Sequence, residues 1–184
     1  MSEEETKLLE KYIVCSKRYF EFGSGGSTKL AARNNLEVYG VESDKLWVET
    51  LYKELGEYCK VSYIDIGPTK EWGYPINYEN KNKFPDYHSA ILQHAEPFDL
   101  ILIDGRFRVA CTLNSVKQIL VSQKNINATR IFIHDFWDRS EYHVVLEFLD
   151  LVDKVDTAGV FSVKDKVSLV RVDFLLEKYK YTPL

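Results

Sequence analysis

The sequence predicts an α/β domain: a doubly wound, mostly parallel sheet of seven strands, with helices on both faces and an antiparallel hairpin at the C-terminal end. Three observations carry this. Short apolar runs alternate with stretches of helical spacing along the whole chain, as in a parallel sheet covered by helices. A glycine-rich turn, Gly23-Ser24-Gly25-Gly26-Ser27, directly follows the first apolar run. The end then changes in kind: Gly159 to Val163 and Val167 to Phe174, joined by Lys164-Asp165-Lys166, read as two antiparallel strands around a short charged turn.

Between these landmarks the elements follow in order. Thr6 to about Lys17 carries Leu8, Leu9, Tyr12 and Ile13 at helical spacing. Tyr19-Phe20-Glu21-Phe22 is a strand, and helix signals resume at Thr28 to Ala32. Val38 to Glu42 is the second strand. Ser43-Asp44 caps a helix bearing Leu46, Trp47, Leu51 and Leu55, and Val61 to Asp65 is strand three. Ile66 to Tyr87 breaks the rhythm with Pro68, Pro75 and Pro85, two glycines and several aromatics, the mark of a long functional loop or a surface insertion. Asp86 to His94 is a short helix, Phe98 to Ile103 a buried strand, Val109 to Val121 a helix, and Ile131 to Ile133 another strand. Glu141 to Val152 reads as the last helix. His88, His94 and His143 read as ordinary surface or helix residues.

The 184 residues match one domain, 1–184, with 66–87 as its long active-site loop. A hydrophobic share of 45% and a net charge of −4 are those of a globular protein and give no basic surplus for a nucleic-acid partner. Cys15, Cys59 and Cys111 have neither disulfide nor zinc spacing and read as buried hydrophobes in a reducing compartment. No apolar run approaches the roughly 18 residues that span a bilayer, and the acidic N-terminus is unlike a secretory leader. The expectation is a cytoplasmic protein with no membrane partner; the oligomeric state is not legible.

The glycine-rich turn lets backbone N–H groups approach a ligand beside the positive end of the following helix. Glu42 ends the next strand about twenty residues on, where an acid binds the ribose hydroxyls of a nucleotide in a Rossmann-like fold. Thr28 stands where the dinucleotide fingerprint needs glycine, and the phosphate-loop pattern fails at the same place. Glu21 would set a negative charge beside a pyrophosphate, and it suits a ligand with an ammonium and a sulfonium.

Phe20-Glu21-Phe22-Gly23-Ser24-Gly25-Gly26-Ser27 resembles motif I of the class I S-adenosylmethionine-dependent methyltransferases. Val41-Glu42-Ser43-Asp44 resembles their motif II, Phe98 to Asp104 their motif IV, and the closing hairpin their antiparallel seventh strand. The resemblance covers nearly the whole chain. It implies S-adenosyl-L-methionine as cofactor, held at its methionine end by Glu21, Gly23, Ser24, Gly25, Gly26, Ser27 and Asp104. Glu42 and Ser43 would meet the ribose, and Asp65 with Ile66 the adenine. Asp65 serves equally well as a strand-end cap.

A second cluster joins Asp104-Gly105-Arg106-Phe107-Arg108 to His134-Asp135. Asp104 and His134 directly follow buried strands expected to be neighbours, so they meet at the carboxyl edge, where open α/β sheets bind ligands. Two roles fit. His134 would be a general base toward a hydroxyl acceptor, with Asp104 or Asp135 fixing its tautomer. Alternatively Asp104 and Asp135 would hold a divalent metal such as Mg²⁺, as in O-methyltransferases acting on sugars or catechols, whose acids the two strand ends resemble. Arg106 and Arg108 would clamp an anionic group or pair with neighbouring acids. Trp72 and Tyr74 offer flat faces for stacking an acceptor. The resulting expectation is O-methylation of a hydroxyl on a sugar, glycan or other small molecule. The rivals are a module that binds the cofactor without turnover and, further off, a nicotinamide-dependent oxidoreductase.

Overall fold

The computed structural model describes residues 1–122 and 126–184. Helix α1 (Glu3–Ile13) starts at Ser2, whose hydroxyl accepts from the Glu5 N–H while the Glu5 carboxylate accepts from the Ser2 N–H. This reciprocal cap, with three glutamates in the first turn, suits the positive end of a helix. Strand β1 (Tyr19–Phe22) is buried throughout and leads into α2 (Gly26–Arg33). Then come β2 (Val38–Glu42), α3 (Lys45–Leu55, capped by the Asp44 carboxylate on the Trp47 N–H) and β3 (Cys59–Tyr63). The long loop folds into two short 3₁₀ turns and an isolated bridge, Thr69 to Pro75, before α4 (Phe84–Ser89). Strand β4 (Leu100–Ile103), α5 (Arg108–Ser122), β5 (Arg130–Ile133), β6 (Leu149–Val155), β7 (Ala158–Val163) and α6 (Leu169–Tyr179) complete the chain.

The seven strands lie in the order β3-β2-β1-β4-β5-β7-β6. The first five are mutually parallel, whereas β7 runs antiparallel to β5 and to β6. One face packs α4, α5 and α6 around Phe22, Ile101, Ile103 and Phe161. The other packs α1, α2 and α3 around Tyr19, Val38, Leu100 and Leu102. Order reverses between β1 and β4, which opens a crevice at their carboxyl ends.

Two expectations are corrected at the C-terminal end. The stretch Glu141 to Val152 is not a helix: a 3₁₀ segment (Ser140–Glu147) gives way to β6. The antiparallel hairpin is therefore β6–β7, turning at Asp156-Thr157, one element earlier than expected. Val167 to Phe174, expected as its second strand, instead enters α6. The charged turn Lys164-Asp165-Lys166 after a strand suggests a partner strand. Val172, Leu175, Leu176 and Tyr179, however, repeat at helical spacing and pack on the core below, and the Ser168 hydroxyl caps the Arg171 N–H. Packing of that stripe overrides the local signal.

Cys59 and Cys111 are buried as expected, but Cys15 is exposed. His88 is buried, accepting from Asn114 Nδ2 at 2.7 Å and donating to the Lys180 carbonyl at 3.1 Å, and burial lowers its pKa to about 4. No helix among the described residues is long and apolar enough to cross a membrane.

Candidate active site

A cavity of about 420 Å³ opens where β1, β2 and β4 end, a size usual for small-molecule sites. Its wall contains Gly23, Ser24, Gly25, Gly26, Ser27, Glu42, Ser43 and Asp104, drawn from three separate stretches of sequence. Gly23 has φ of 84°, and a side chain there would stand 2.6 Å from the Gly105 Cα, so both strand exits need glycine to pass. At Gly25 and Gly26 the position of a side chain's first carbon has no protein atom within 4 Å. The loop is thus packed from behind and open in front, the form a ligand cradle requires.

Glu42 is held by its own neighbours. One oxygen accepts from the Ser24 N–H at 3.0 Å, the other from the N–H groups of Ser43 at 2.6 Å and Asp44 at 3.0 Å. It ties the glycine loop to the cap of α3 and fixes its own carboxylate on the cavity wall. Trp47, which sequence reasoning treated only as a helix residue, adds a second tie from its indole N–H to the Ser24 carbonyl at 2.8 Å. Ser24 Oγ is buried with no hydrogen-bond partner, a free polar atom of the kind that a bound ligand satisfies.

Glu21 lies beneath the loop rather than on the cavity wall, fully buried. It accepts from the hydroxyls of Tyr19 at 2.9 Å, Ser27 at 2.8 Å and Thr28, and the Thr28 oxygen in turn accepts from the Gly25 N–H at 2.8 Å. Burial raises its pKa to about 7 despite these donors. A proton is therefore kept in the fold between an unfolded value near 4.5 and about 7, so stability falls as pH rises through that window. Glu21→Gln is accordingly expected to be more stable than the parent at pH 8, by up to about 3 kcal/mol at about 1.36 kcal/mol per unit, and to show little gain at pH 4. Denaturant melts at the two pH values check it; an equal gain at both would mean that Glu21 is not the titrating group.

Asp65 and Ile66 stand apart from the cavity. Asp65 accepts from the Gly67 N–H at 2.8 Å and pairs with Lys83 at 2.6 Å, which lowers its pKa, and Ile66 is buried in the core. From the long loop, Thr69, Lys70, Glu71 and Trp72 line the cavity instead, with Tyr87 behind them.

A second cavity of about 490 Å³ adjoins the first. Trp72, Tyr74, Asp104, Arg106, Arg108, His134 and Asp135 meet on its wall, and Asp104, Arg106 and Trp72 line both cavities. Met1 and Arg139 complete it. His134 Nδ1 is 2.8 Å from Asp104, and Nε2 is 3.2 Å from Glu5 and 3.4 Å from Asp135. Burial works against the imidazolium, but the hydrogen bond and charge of Asp104, with the charge of Asp135, outweigh it and raise the pKa above 6.5. Glu5 is buried and also accepts from the Thr157 N–H and hydroxyl, so it is a fixed acceptor.

Asp104 and Asp135 do not fit a divalent metal. The Arg108 guanidinium, 3% exposed, lies between them at 3.2 Å from Asp104 and 3.4 Å from Asp135. It also donates to the carbonyls of Gly105 and Asp104, so it is fixed there. A metal ion drawn to the same two carboxylates would meet that positive charge at close range.

The strand order, the glycine loop and the crevice at the switch point are those of the class I S-adenosylmethionine-dependent methyltransferases; the chain has their fold. A methyltransferase-like protein of Silicibacter pomeroyi superposes over all of this chain and 96% of its own, at 28% identity and a TM-score of 0.86. The N-methyltransferase NodS of Bradyrhizobium japonicum matches at 15% identity and a TM-score of 0.54, over 89% of this chain and 96% of its own; NodS is also known with S-adenosyl-L-homocysteine bound. The mycinamycin-pathway methyltransferase MycE, solved with Mg and S-adenosylhomocysteine, matches at 13% and 0.51, over 90% of this chain and 50% of its own. No family model matches the sequence, and neither does any curated protein.

Proposed function

We propose that this chain is an S-adenosylmethionine-dependent methyltransferase acting on a hydroxyl oxygen of a sugar or other small molecule, in the cytoplasm. The observation that carries the reading is Asp104, which stands on the wall shared by the two cavities and is hydrogen-bonded to His134. One cavity has the cradle and the acidic ribose partner that the cofactor requires. The other is lined by aromatic faces and a proton-accepting pair, which a hydroxyl acceptor requires and a binding-only module does not.

When bound, S-adenosylmethionine supplies an electrophilic methyl group on a positively charged sulfur. The chain's own work is holding, shielding and deprotonation. The open side of Gly25 and Gly26 receives the methionine end, and Glu42 accepts from a ribose hydroxyl at the oxygen that takes only the Ser24 N–H. Trp72 and Tyr74 form a flat wall on the acceptor side. Glu5 accepts only, so it keeps a hydrogen on Nε2 of His134 and makes Nδ1, facing Asp104, the nitrogen that titrates. A hydroxyl resting on Asp104 then passes its proton to the carboxylate and on to Nδ1. Positioning of the two reactants supplies the rest of the acceleration.

Calorimetry with S-adenosylhomocysteine tests the cofactor half. Binding to the parent protein and a loss of about 1.5–3 kcal/mol in Glu42→Ala, the range for hydrogen bonds to charged groups, are the expected results. Unchanged affinity in a folded variant would remove the ribose assignment.

A further inference from the structure

Arg106 is in an unusual electrostatic position. It is 6% exposed, yet Nε and Nη1 have no hydrogen-bond partner. Burying polar N–H groups unpaired is costly, and doing so with a full charge more so. Its neighbours are satisfied: Arg108 bridges Asp104 and Asp135, while Arg139 donates to Asp135 at 3.2 Å and to the Tyr142 hydroxyl at 3.4 Å.

The backbone presents this residue at some cost. Phe107, next in line, has φ of 58°, a left-handed conformation that bulky residues avoid. Burial of its ring against Phe84 at 4.9 Å and Tyr87 at 5.9 Å offsets the strain. The guanidinium carbon sits over the Tyr74 ring, 4.2 Å from its centre, while Nε and Nη1 keep their N–H groups unpartnered. In-plane N–H pairs match the two oxygens of a carboxylate or phosphate.

We propose that the acceptor bears an oxyanion, a carboxylate or phosphate, and that Arg106, backed by Tyr74, is its seat. The inference rests on the methyltransferase reading and deepens it: the substrate is an acidic hydroxy compound, such as a sugar acid, a phosphorylated sugar or a hydroxy acid. The cofactor's own carboxylate has the same chemistry. Arg106 lines both cavities, but Tyr74, the ring its guanidinium lies over, lines only the second, which favours the acceptor side.

Arg106→Met and Arg106→Lys test this with 4-hydroxybenzoate and inorganic phosphate as probes, 4-hydroxybenzamide as the neutral control, and titrations run with and without S-adenosylhomocysteine. The parent should bind both anions at least tenfold more tightly than the amide. Arg106→Met should abolish that preference, and Arg106→Lys, which keeps the charge without the fork, should retain part of it. Because an unpaired charge is removed, Arg106→Met should also melt about 2–4 °C higher than the parent in the absence of anions. No anion preference in the parent, or an equal preference in Arg106→Met, overturns the proposal. So does an Arg106→Met variant that loses tenfold or more in S-adenosylhomocysteine affinity while binding 5′-methylthioadenosine, which lacks the carboxylate, as the parent does; Arg106 would then hold the cofactor. A parent protein that prefers the anions but does not bind S-adenosylhomocysteine would overturn the methyltransferase reading and leave the anion seat standing.

Discussion

His134→Ala and Asp104→Asn are each expected to lower turnover by about 10²–10⁴, and His134→Ala to do so while barely changing S-adenosylhomocysteine affinity, the signature of a lost proton acceptor rather than a lost ligand contact. When His134 is protonated, its Nδ1 donates to Asp104 Oδ1 across 2.8 Å. The pair can take a further proton from a hydroxyl only after giving that one up. Since the His134 pKa is raised above 6.5, turnover should climb with pH through a point above 6.5. Stability runs the other way. A raised histidine pKa contributes stability in full below the unfolded value and loses it as pH rises through the folded value. The parent should therefore gain activity over the range in which its advantage in stability over His134→Ala disappears. Turnover against pH, with chelator present throughout, checks the first part, and denaturant melts of both proteins check the second. Full activity and an unchanged pH profile in His134→Ala would leave positioning alone as the catalytic device.

The halves of the site differ in how far the sequence reveals them. Strands β1 and β2 match their expected bounds, Tyr19–Phe22 and Val38–Glu42, because each is a short apolar run stopped by a turn signal. A glycine turn and an acid at fixed spacing then place Gly23 to Ser27 and Glu42 on one wall, since two adjacent parallel strands carry them to the same edge. Local signals of this kind are silent about contacts across the chain. Nothing near Glu5 marks it as the partner of a histidine 129 positions away; that contact arises because α1 docks over the exit of β5. The Arg108 bridge is equally hidden. Arg108 was legible as a clamp or an ion-pair partner, but its insertion between Asp104 and Asp135, which disfavours the metal alternative, depends on α5 beginning directly beneath both acids. Asp65 shows two readings of one position. Its place after strand three suggested an adenine contact, while Gly67 and Lys83 supply nearer partners for the carboxylate. The misplaced hairpin has the same origin: the charged turn at 164–166 is a local signal, whereas the helical stripe after it runs on to Tyr179.

Two glycines on the same cavity wall should respond in opposite ways. Gly105→Ala is expected to destabilise the fold by about 3 kcal/mol or more, the upper end for overpacking, which for a chain of this size lowers Tm by about 6–12 °C. The new methyl carbon would collide with the Tyr87 hydroxyl and stand 2.9 Å from the Gly23 nitrogen and 3.0 Å from the Phe22 carbonyl carbon. Tyr87 is 1% exposed, and the other two atoms belong to the backbone at the exit of β1, so the methyl group meets resistance on each of these sides. Adding Tyr87→Phe removes only the hydroxyl and should recover part of the loss. Gly25→Val should behave differently. Apart from its chain neighbours, no protein atom lies within 4 Å of the position its first side-chain carbon would take. Its Tm should stay close to that of the parent while S-adenosylhomocysteine affinity falls about 100-fold or more, because the branched side chain occupies space assigned to the ligand's methionine end. Scanning calorimetry and titration calorimetry on the same samples separate the two effects. An unchanged Tm in Gly105→Ala would mean that the strand exits are less tightly joined than their spacing implies. Parental affinity in a folded Gly25→Val would remove the glycine loop as the seat of the methionine end.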